Sequence, residues 1–127
     1  VADGGFNSVH EFFFYGGTFI LVVEDDKGAN NLGYYIDALD NYGAFYIIHN
    51  TDTSGPPDAG FMAAARAVIW YTGEERDDTI DPTEQAAITS ALANGGSFFF
   101  SGQDIAYDLS MSSSESNAFL ENVLHLE

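Results

Sequence analysis

Four short runs of β-branched and aromatic residues alternate along this chain with segments of helical periodicity. Strands that alternate with helices in this way indicate βαβ units around a parallel sheet. Each run is apolar throughout, which is typical of strands covered by helices on both faces. The runs are Phe19–Val23, Phe45–Ile48, Ala67–Tyr71 and Ser97–Phe100. The sequence therefore predicts an α/β fold in which all four runs are buried strands.

Helix signals mark the segments between and after these runs. Residues 31–42 have apolar residues at helical spacing. Asp58 is the expected N-cap of a short second helix. Asp81 and Glu84 form a capping box for a third helix, and a fourth helix is expected to start at the serines near Ser112. We expect a three-layer sandwich with at least four parallel strands, in the order 2-1-3-4, and helices on both faces.

The 127 residues suffice for one domain with its own core. We assign residues 18–127 to this domain. Residues 1–17 do not fit the βαβ pattern and are interpreted as an N-terminal extension or an edge strand, with Val9–Tyr15 as the strand. The chain starts at Val1 without a signal peptide, so we expect it to have been excised from a longer protein.

The charge balance excludes several classes of partner. Twenty acidic residues face three lysines and arginines, which gives a net charge of −17. Such a chain has no basic patch for phosphates, so neither nucleic acid nor an anionic membrane is an expected partner. The absence of cysteine excludes disulfides and thiolate metal sites. An acidic, highly solvated surface suits salty or extracellular surroundings, and we expect an extracellular or cell-surface location.

Acidic residues follow the predicted strands. In open parallel sheets, ligands bind outside the carboxyl ends of the strands. With the strand order 2-1-3-4, four carboxylates are expected to converge there, and they could bind Ca²⁺ or Mg²⁺ through their oxygens. These residues are Asp25, Asp26, Glu74 and Asp104. The alternative is a solvated acidic surface that binds no metal or cofactor.

The first of these acidic segments resembles part of a known signalling domain. Ile20–Asp26 is similar to the first strand and acidic pair of response-regulator receiver domains, which hold Mg²⁺ with such residues. A receiver also needs a phosphoryl-accepting aspartate after its third strand, where this chain has Tyr71–Gly73. Phosphoryl transfer is therefore not expected. A divalent-cation-binding, receiver-like module stays as an alternative.

Two residues are candidates for catalysis. Ser101 precedes Gly102 at a strand end, where α/β enzymes place an elbow nucleophile, and Glu74 could act with Asp104 as an acid–base pair. A serine nucleophile needs a base within hydrogen-bond reach. His49 ends the second strand, roughly 14 Å from the fourth in the order 2-1-3-4, so it cannot serve Ser101. A hydrolase that uses Ser101 or the acidic loops is an alternative function.

Three stretches together carry a wider resemblance. They are Ile20–Asp26, Val68–Glu74 and Gly95–Ile105. The chain resembles the glutamine-amidotransferase-like, flavodoxin-like accessory domains of large secreted bacterial and archaeal proteins, which often accompany peptidase domains. Catalytic members carry a cysteine where this chain has Ser101. The resemblance thus implies a flavodoxin-like sheet and a non-catalytic interaction or spacer domain, whose partners are the other domains of its parent protein.

Overall fold

The computed structural model describes residues 19–126, which form four strands and six helices. The strands are β1 (Ile20–Glu24), β2 (Tyr46–Asn50), β3 (Ala67–Gly73) and β4 (Phe98–Gly102). The helices are α1 (Leu32–Tyr42), α2 (Thr51–Ser54), α3 (Ala59–Ala64), α4 (Pro82–Ala93), α5 (Ile105–Ser112) and α6 (Ser114–Asn122). The edge strand predicted at Val9–Tyr15 lies outside the described residues.

The strands form one parallel sheet in the order β2-β1-β3-β4. This confirms the predicted α/β class and the flavodoxin-like 2-1-3-4 order. Val23 of β1 lies between His49 of β2 and Trp70 of β3. All four carboxyl ends therefore meet at one side of the sheet, which is called the carboxyl edge below. The connection direction reverses between β1 and β3, and such switch points are where doubly wound sheets bind ligands.

Apolar side chains pack on both faces of the sheet and make three layers. One face carries the larger core, in which Trp70 is fully buried with residues of α3, α4, α5 and α6. The other face packs against α1, where Val22, Tyr71 and Leu39 form a smaller cluster. Residues of β1 thus alternate between two cores, as the two-residue period of a strand requires. The helices on both faces agree with the predicted sandwich.

The two outer strands are less covered than their apolar sequences predicted. Phe99 of β4 is 59% exposed and Ile48 of β2 is 44% exposed, whereas Val22 and Tyr71 of the central strands are fully buried. The prediction that all four runs are covered on both faces is therefore wrong for the outer strands. The reason is that α1 is the only helix of residues 19–126 in the smaller core, whose fully buried side chains come from β1 and β3.

Hydrogen bonds at the helix ends confirm two predicted caps. The Asp81 carboxylate accepts from the Glu84 N–H at 2.9 Å, and the Glu84 carboxyl accepts from the Asp81 N–H at 2.7 Å. Asp58 accepts from the Phe61 N–H at the start of α3. The last helix begins one residue beyond Ser113, whose hydroxyl accepts from the Ser116 N–H. No helix within residues 19–126 has the length and hydropathy needed to span a membrane.

Candidate functional site

The first acidic residue after β1, Asp25, is buried at the carboxyl edge. Its Oδ1 accepts a hydrogen bond from the Thr51 hydroxyl at 2.6 Å, and its Oδ2 accepts from the indole Nε1 of Trp70 at 2.8 Å. Trp70 comes from β3, and Thr51 is the first residue of α2. Both Asp25 oxygens are therefore bonded within the protein, and the side chain is only 7% exposed.

A second buried carboxyl group, that of Glu84, meets Asp25. Glu84 is 5% exposed, and its side chain is hydrogen-bonded to that of Asp25. Burial raises the pKa of Glu84 to about 8, and repulsion from Asp25 adds to the effect. Burial also raises the pKa of Asp25, although the bonds from Thr51 and Trp70 oppose it. At neutral pH, the Glu84 carboxyl group is therefore protonated, and it donates a hydrogen bond to the Asp25 carboxylate.

Asp26 is held on the opposite face of the sheet from Asp25. It is 1% exposed, and its Oδ2 accepts from the amide Nδ2 of Asn31 at 3.2 Å. Its Oδ1 is buried without a hydrogen-bond partner among residues 19–126, as is the hydroxyl of Thr72. Burial raises the pKa of Asp26, and the bond from Asn31 opposes this rise. The two consecutive carboxylates that follow β1 thus belong to two different local networks.

The four carboxylates predicted to bind a cation do not form one cluster in the described part of the chain. Asp25 and Asp26 are buried and bonded on opposite faces, whereas Glu74 and Asp104 are exposed. Within residues 19–126, no group of three histidine, aspartate or glutamate side chains is placed to hold a metal ion. The predicted Ca²⁺ or Mg²⁺ site stays a prediction, and the structure supplies no ligand set for it.

Ser101 is bonded to a tyrosine. The Tyr35 hydroxyl donates to the Ser101 Oγ at 3.0 Å, and the Tyr35 ring stacks on Tyr71 with their centroids 4.3 Å apart. His49 lies on β2, at the opposite side of the sheet from β4, and its Nε2 is 2.7 Å from the Gly55 carbonyl oxygen. The strand order therefore confirms that His49 cannot be the base for Ser101. No side-chain carboxylate of residues 19–126 is hydrogen-bonded to Ser101.

A cleft opens at the carboxyl edge between the start of α1 and the ends of β3 and β4. Its volume is about 390 Å³. It is lined by Asn31, Tyr34, Tyr35, Gly73, Glu74, Ser101, Gly102 and Gln103. We call it the edge cleft. It contains both catalytic candidates of the sequence, Ser101 and Glu74, but it contains neither Asp25 nor Glu84.

A larger groove of about 610 Å³ runs beside β4. It is mainly apolar, and Phe98, Phe100 and Leu124 contribute to its walls. Asp104, which is the N-cap residue of α5, lies at its rim with a positive φ of 61°. We call it the β4 groove. It has the apolar character of a contact surface, whereas the edge cleft is lined by hydroxyl, amide and carboxylate groups.

Sequence reasoning missed the partners of the predicted residues. It placed Glu84 in a capping box and Asp25 at a strand end, but nothing in their spacing shows that the two carboxyl groups touch. The contact between Tyr35 and Ser101 depends in the same way on how α1 lies across the sheet. In the sequence, Tyr35 is one of the apolar residues at helical spacing within residues 31–42, which indicates only that it faces the core. The hydroxyl group of Tyr35 was the one signal in the sequence that this residue also makes a polar contact.

Comparison of the chain with family models, with curated proteins and with solved structures gave no match.

Proposed function

We propose that this chain is a non-catalytic interaction domain of a secreted multidomain protein. The observation that carries the proposal is the bond between Tyr35 and Ser101. A nucleophilic serine has to lose its proton to a base, but the side chain bonded to Ser101 is the Tyr35 hydroxyl, which donates a hydrogen bond to it. No carboxylate or imidazole of residues 19–126 is hydrogen-bonded to Ser101. The bond therefore orients the serine hydroxyl without activating it. The resemblance to amidotransferase-like accessory domains without the catalytic cysteine supports the same role.

The carboxyl groups of the carboxyl edge also favour a non-catalytic role. Carboxylate-based hydrolysis needs two carboxyl groups that flank the scissile bond and can reach the substrate. Asp25 and Glu84 are buried, and their oxygens are bonded to Thr51, Trp70 and the Asp81 N–H. Glu74 is exposed in the edge cleft, and it is the only carboxylate of the described residues that lines this cleft. Asp25 and Glu84 are thus close together but inaccessible to a substrate. Glu74 is accessible, but it has no second carboxyl group of the described residues beside it in the cleft.

Exposed apolar side chains beside β4 support interaction over a purely spacing role. Phe99 is 59% exposed on one face of the sheet, and Phe98 and Phe100 line the β4 groove on the other. Burying such surface against another protein is favourable by about 25 cal/mol per Å². Exposed apolar surface is typical of sites of protein–protein contact. We assign this surface to contacts with neighbouring domains of the parent protein.

A hydrolysis assay tests the proposal. The purified chain would be incubated with p-nitrophenyl esters and p-nitrophenyl glycosides between about pH 5 and pH 8, where carboxyl and imidazole catalysts operate. Ser101→Ala and Glu74→Gln are the matched variants. We expect all three proteins to give the rate of buffer alone. A wild-type rate above buffer that either variant abolishes would establish the hydrolase alternative and overturn the proposal.

A further inference from the structure

We propose that the edge cleft binds a neutral saccharide. The charge of the cleft is the first argument. Among the described residues 19–126, Glu74 is the one charged side chain that lines the cleft, and no lysine, arginine or histidine of this part of the chain lies there. An anionic ligand such as a phosphate would meet one negative charge and no compensating cation, so it is disfavoured. A single carboxylate is also too few oxygens for a hard divalent cation.

The polar groups of the cleft match the hydrogen bonding of sugar hydroxyls. A hydroxyl both donates and accepts, and so do the side chains of Asn31, Ser101 and Gln103. Ser101 accepts from Tyr35, which leaves its own proton to donate to a ligand. Glu74 adds a strong acceptor at the rim. Small-molecule sites are recognised by a few polar groups that converge in this way.

An exposed aromatic ring supplies the apolar part of the site. Tyr34 lines the cleft and is 77% exposed, so a face of its ring is open to a ligand. One face of a pyranose ring consists of C–H bonds, which pack on an aromatic ring while the hydroxyls point outward to polar groups. Tyr34 lies beside Tyr35, whose ring is fixed by stacking on Tyr71. The helix backbone that carries both tyrosines is thus anchored to the sheet next to Tyr34.

Two glycines of the cleft lining stand where a side chain would not fit. A Cβ at Gly73 would lie 2.8 Å from the amide nitrogen of Asn31, and one at Gly102 would collide with the Thr72 hydroxyl. Gly73 also has a φ of 61°, in the left-handed region that favours glycine. A side chain at Gly73 would therefore displace Asn31, which lines the cleft, and one at Gly102 would displace the Thr72 side chain. The volume of about 390 Å³ is within the range of about 300 to 1,000 Å³ for small-molecule sites.

The inference rests on the proposed non-catalytic function, because a saccharide is to be bound there and released unchanged. The probes are cellotriose, mannotriose and tri-N-acetylchitotriose. Each is titrated into the protein up to about 10 mM, and binding is followed by NMR. These concentrations detect a Kd of about 1 mM. We expect at least one probe to bind and to remain intact. A cleaved probe would overturn the proposed function, whereas an intact probe that binds supports both statements.

A matched pair of tyrosine variants locates the binding. Tyr34→Ala removes the exposed ring that lines the edge cleft. Tyr42→Ala removes a ring that is 83% exposed on the same helix but does not line the cleft. We expect Tyr34→Ala to weaken binding by about tenfold and Tyr42→Ala to leave it unchanged. Both sites are exposed, so neither variant should impair folding. No binding by any probe, or equal effects of the two variants, would overturn the inference.

Discussion

The contact between Asp25 and Glu84 puts two carboxyl groups in one buried position. Water is excluded from both, so the second negative charge loses solvation and also meets the first one. Thr51 and Trp70 both donate to Asp25, which makes Asp25 the better place for the charge. Glu84 then carries the proton, and its pKa is about 8 in the folded chain. The pair should therefore link the stability of the fold to pH.

We predict that the free energy of unfolding falls as pH rises from about 5 to about 8, by roughly 3 kcal/mol from Glu84. The pKa of Glu84 is raised in the folded state, from an ordinary 4.5 to about 8. Its contribution is therefore fully present below pH 4.5 and is lost as pH rises through about 8. Urea titrations followed by the fluorescence of Trp70, the only tryptophan, measure this dependence.

Glu84→Gln should flatten that pH dependence, since glutamine keeps a hydrogen-bonding side chain in the capping box but does not titrate. Glu121→Gln, at an exposed position of α6, is the control and should keep the wild-type slope. The interpretation of the buried pair would be wrong if Glu84→Gln and Glu121→Gln showed the same slope between pH 5 and pH 8 as the wild-type chain.

At the scale of elements, the end of β4 approaches the end of β3 so closely that only glycine fits at position 102. Gly102 lies where a Cβ would collide with the hydroxyl of Thr72, which is fully buried. The pairing of β3 with β4 also shifts register between Tyr71 and Gly73. The tight approach and the register shift together shape the floor of the edge cleft, because Gly73 and Gly102 both line it.

Gly102→Ala should destabilise the chain by about 1 to 3 kcal/mol, the usual cost of overpacking a filled site. Thr72→Ala in the same chain removes the colliding hydroxyl, so the double variant should regain part of that loss. A double-mutant cycle from urea unfolding measures the coupling between the two positions. Strictly additive effects would show that the Thr72 hydroxyl is not what excludes a side chain at Gly102.

Elements with strong local signals were predicted, and those that depend on packing were missed. The capping box of Asp81 and Glu84 fixed the start of α4 from the sequence alone. In contrast, α5 lacks a side-chain cap, because Asp104 has a left-handed backbone and makes no capping bond. This helix is held by tertiary contacts instead. Leu109 is buried in the larger core, and Asp108 accepts two hydrogen bonds from Thr79.

For the candidate site, too, the features set by local sequence could be predicted, whereas the contacts between distant residues could not. The strand order could be predicted from the βαβ pattern, and it sufficed to separate His49 from Ser101. The sequence also predicts that Asp25 and Asp26 lie at the carboxyl edge, because they directly follow the first strand. Their opposite orientations follow from the two-residue period of a strand, but their partners, Glu84 and Asn31, depend on how the helices pack.

At the scale of the whole molecule, the net charge of −17 opposes the compact state through self-repulsion. Screening should relieve this repulsion. We predict that Tm rises as NaCl increases from about 0.01 M to about 0.5 M, because the Debye length falls from about 30 Å to a few ångströms. Thermal melts at fixed pH measure the effect. A Tm independent of salt would mean that the acidic groups are too far apart to repel one another.

Comparing divalent cations with NaCl distinguishes screening of the surface charge from specific binding of the cation. At matched ionic strength, millimolar Ca²⁺ or Mg²⁺ should raise Tm no further than NaCl, because residues 19–126 contain no cluster of three or more metal-ligand side chains. Asp25→Asn and Asp104→Asn are the informative variants. A rise specific to Ca²⁺ or Mg²⁺ that either variant abolishes would establish the cation site predicted from the sequence.

The most direct test of the central claim, that the carboxyl edge binds without catalysing, is the reactivity of Ser101 itself. A fluorophosphonate probe modifies only serines whose hydroxyl is activated by a base. Intact mass spectrometry, with a known serine hydrolase as positive control and Ser101→Ala as negative control, reports the modified fraction. We predict no modification of Ser101, because its side-chain hydrogen bond is to the Tyr35 hydroxyl and no base of residues 19–126 is bonded to it. Stoichiometric labelling that disappears in Ser101→Ala would contradict the account and show that this serine is a nucleophile.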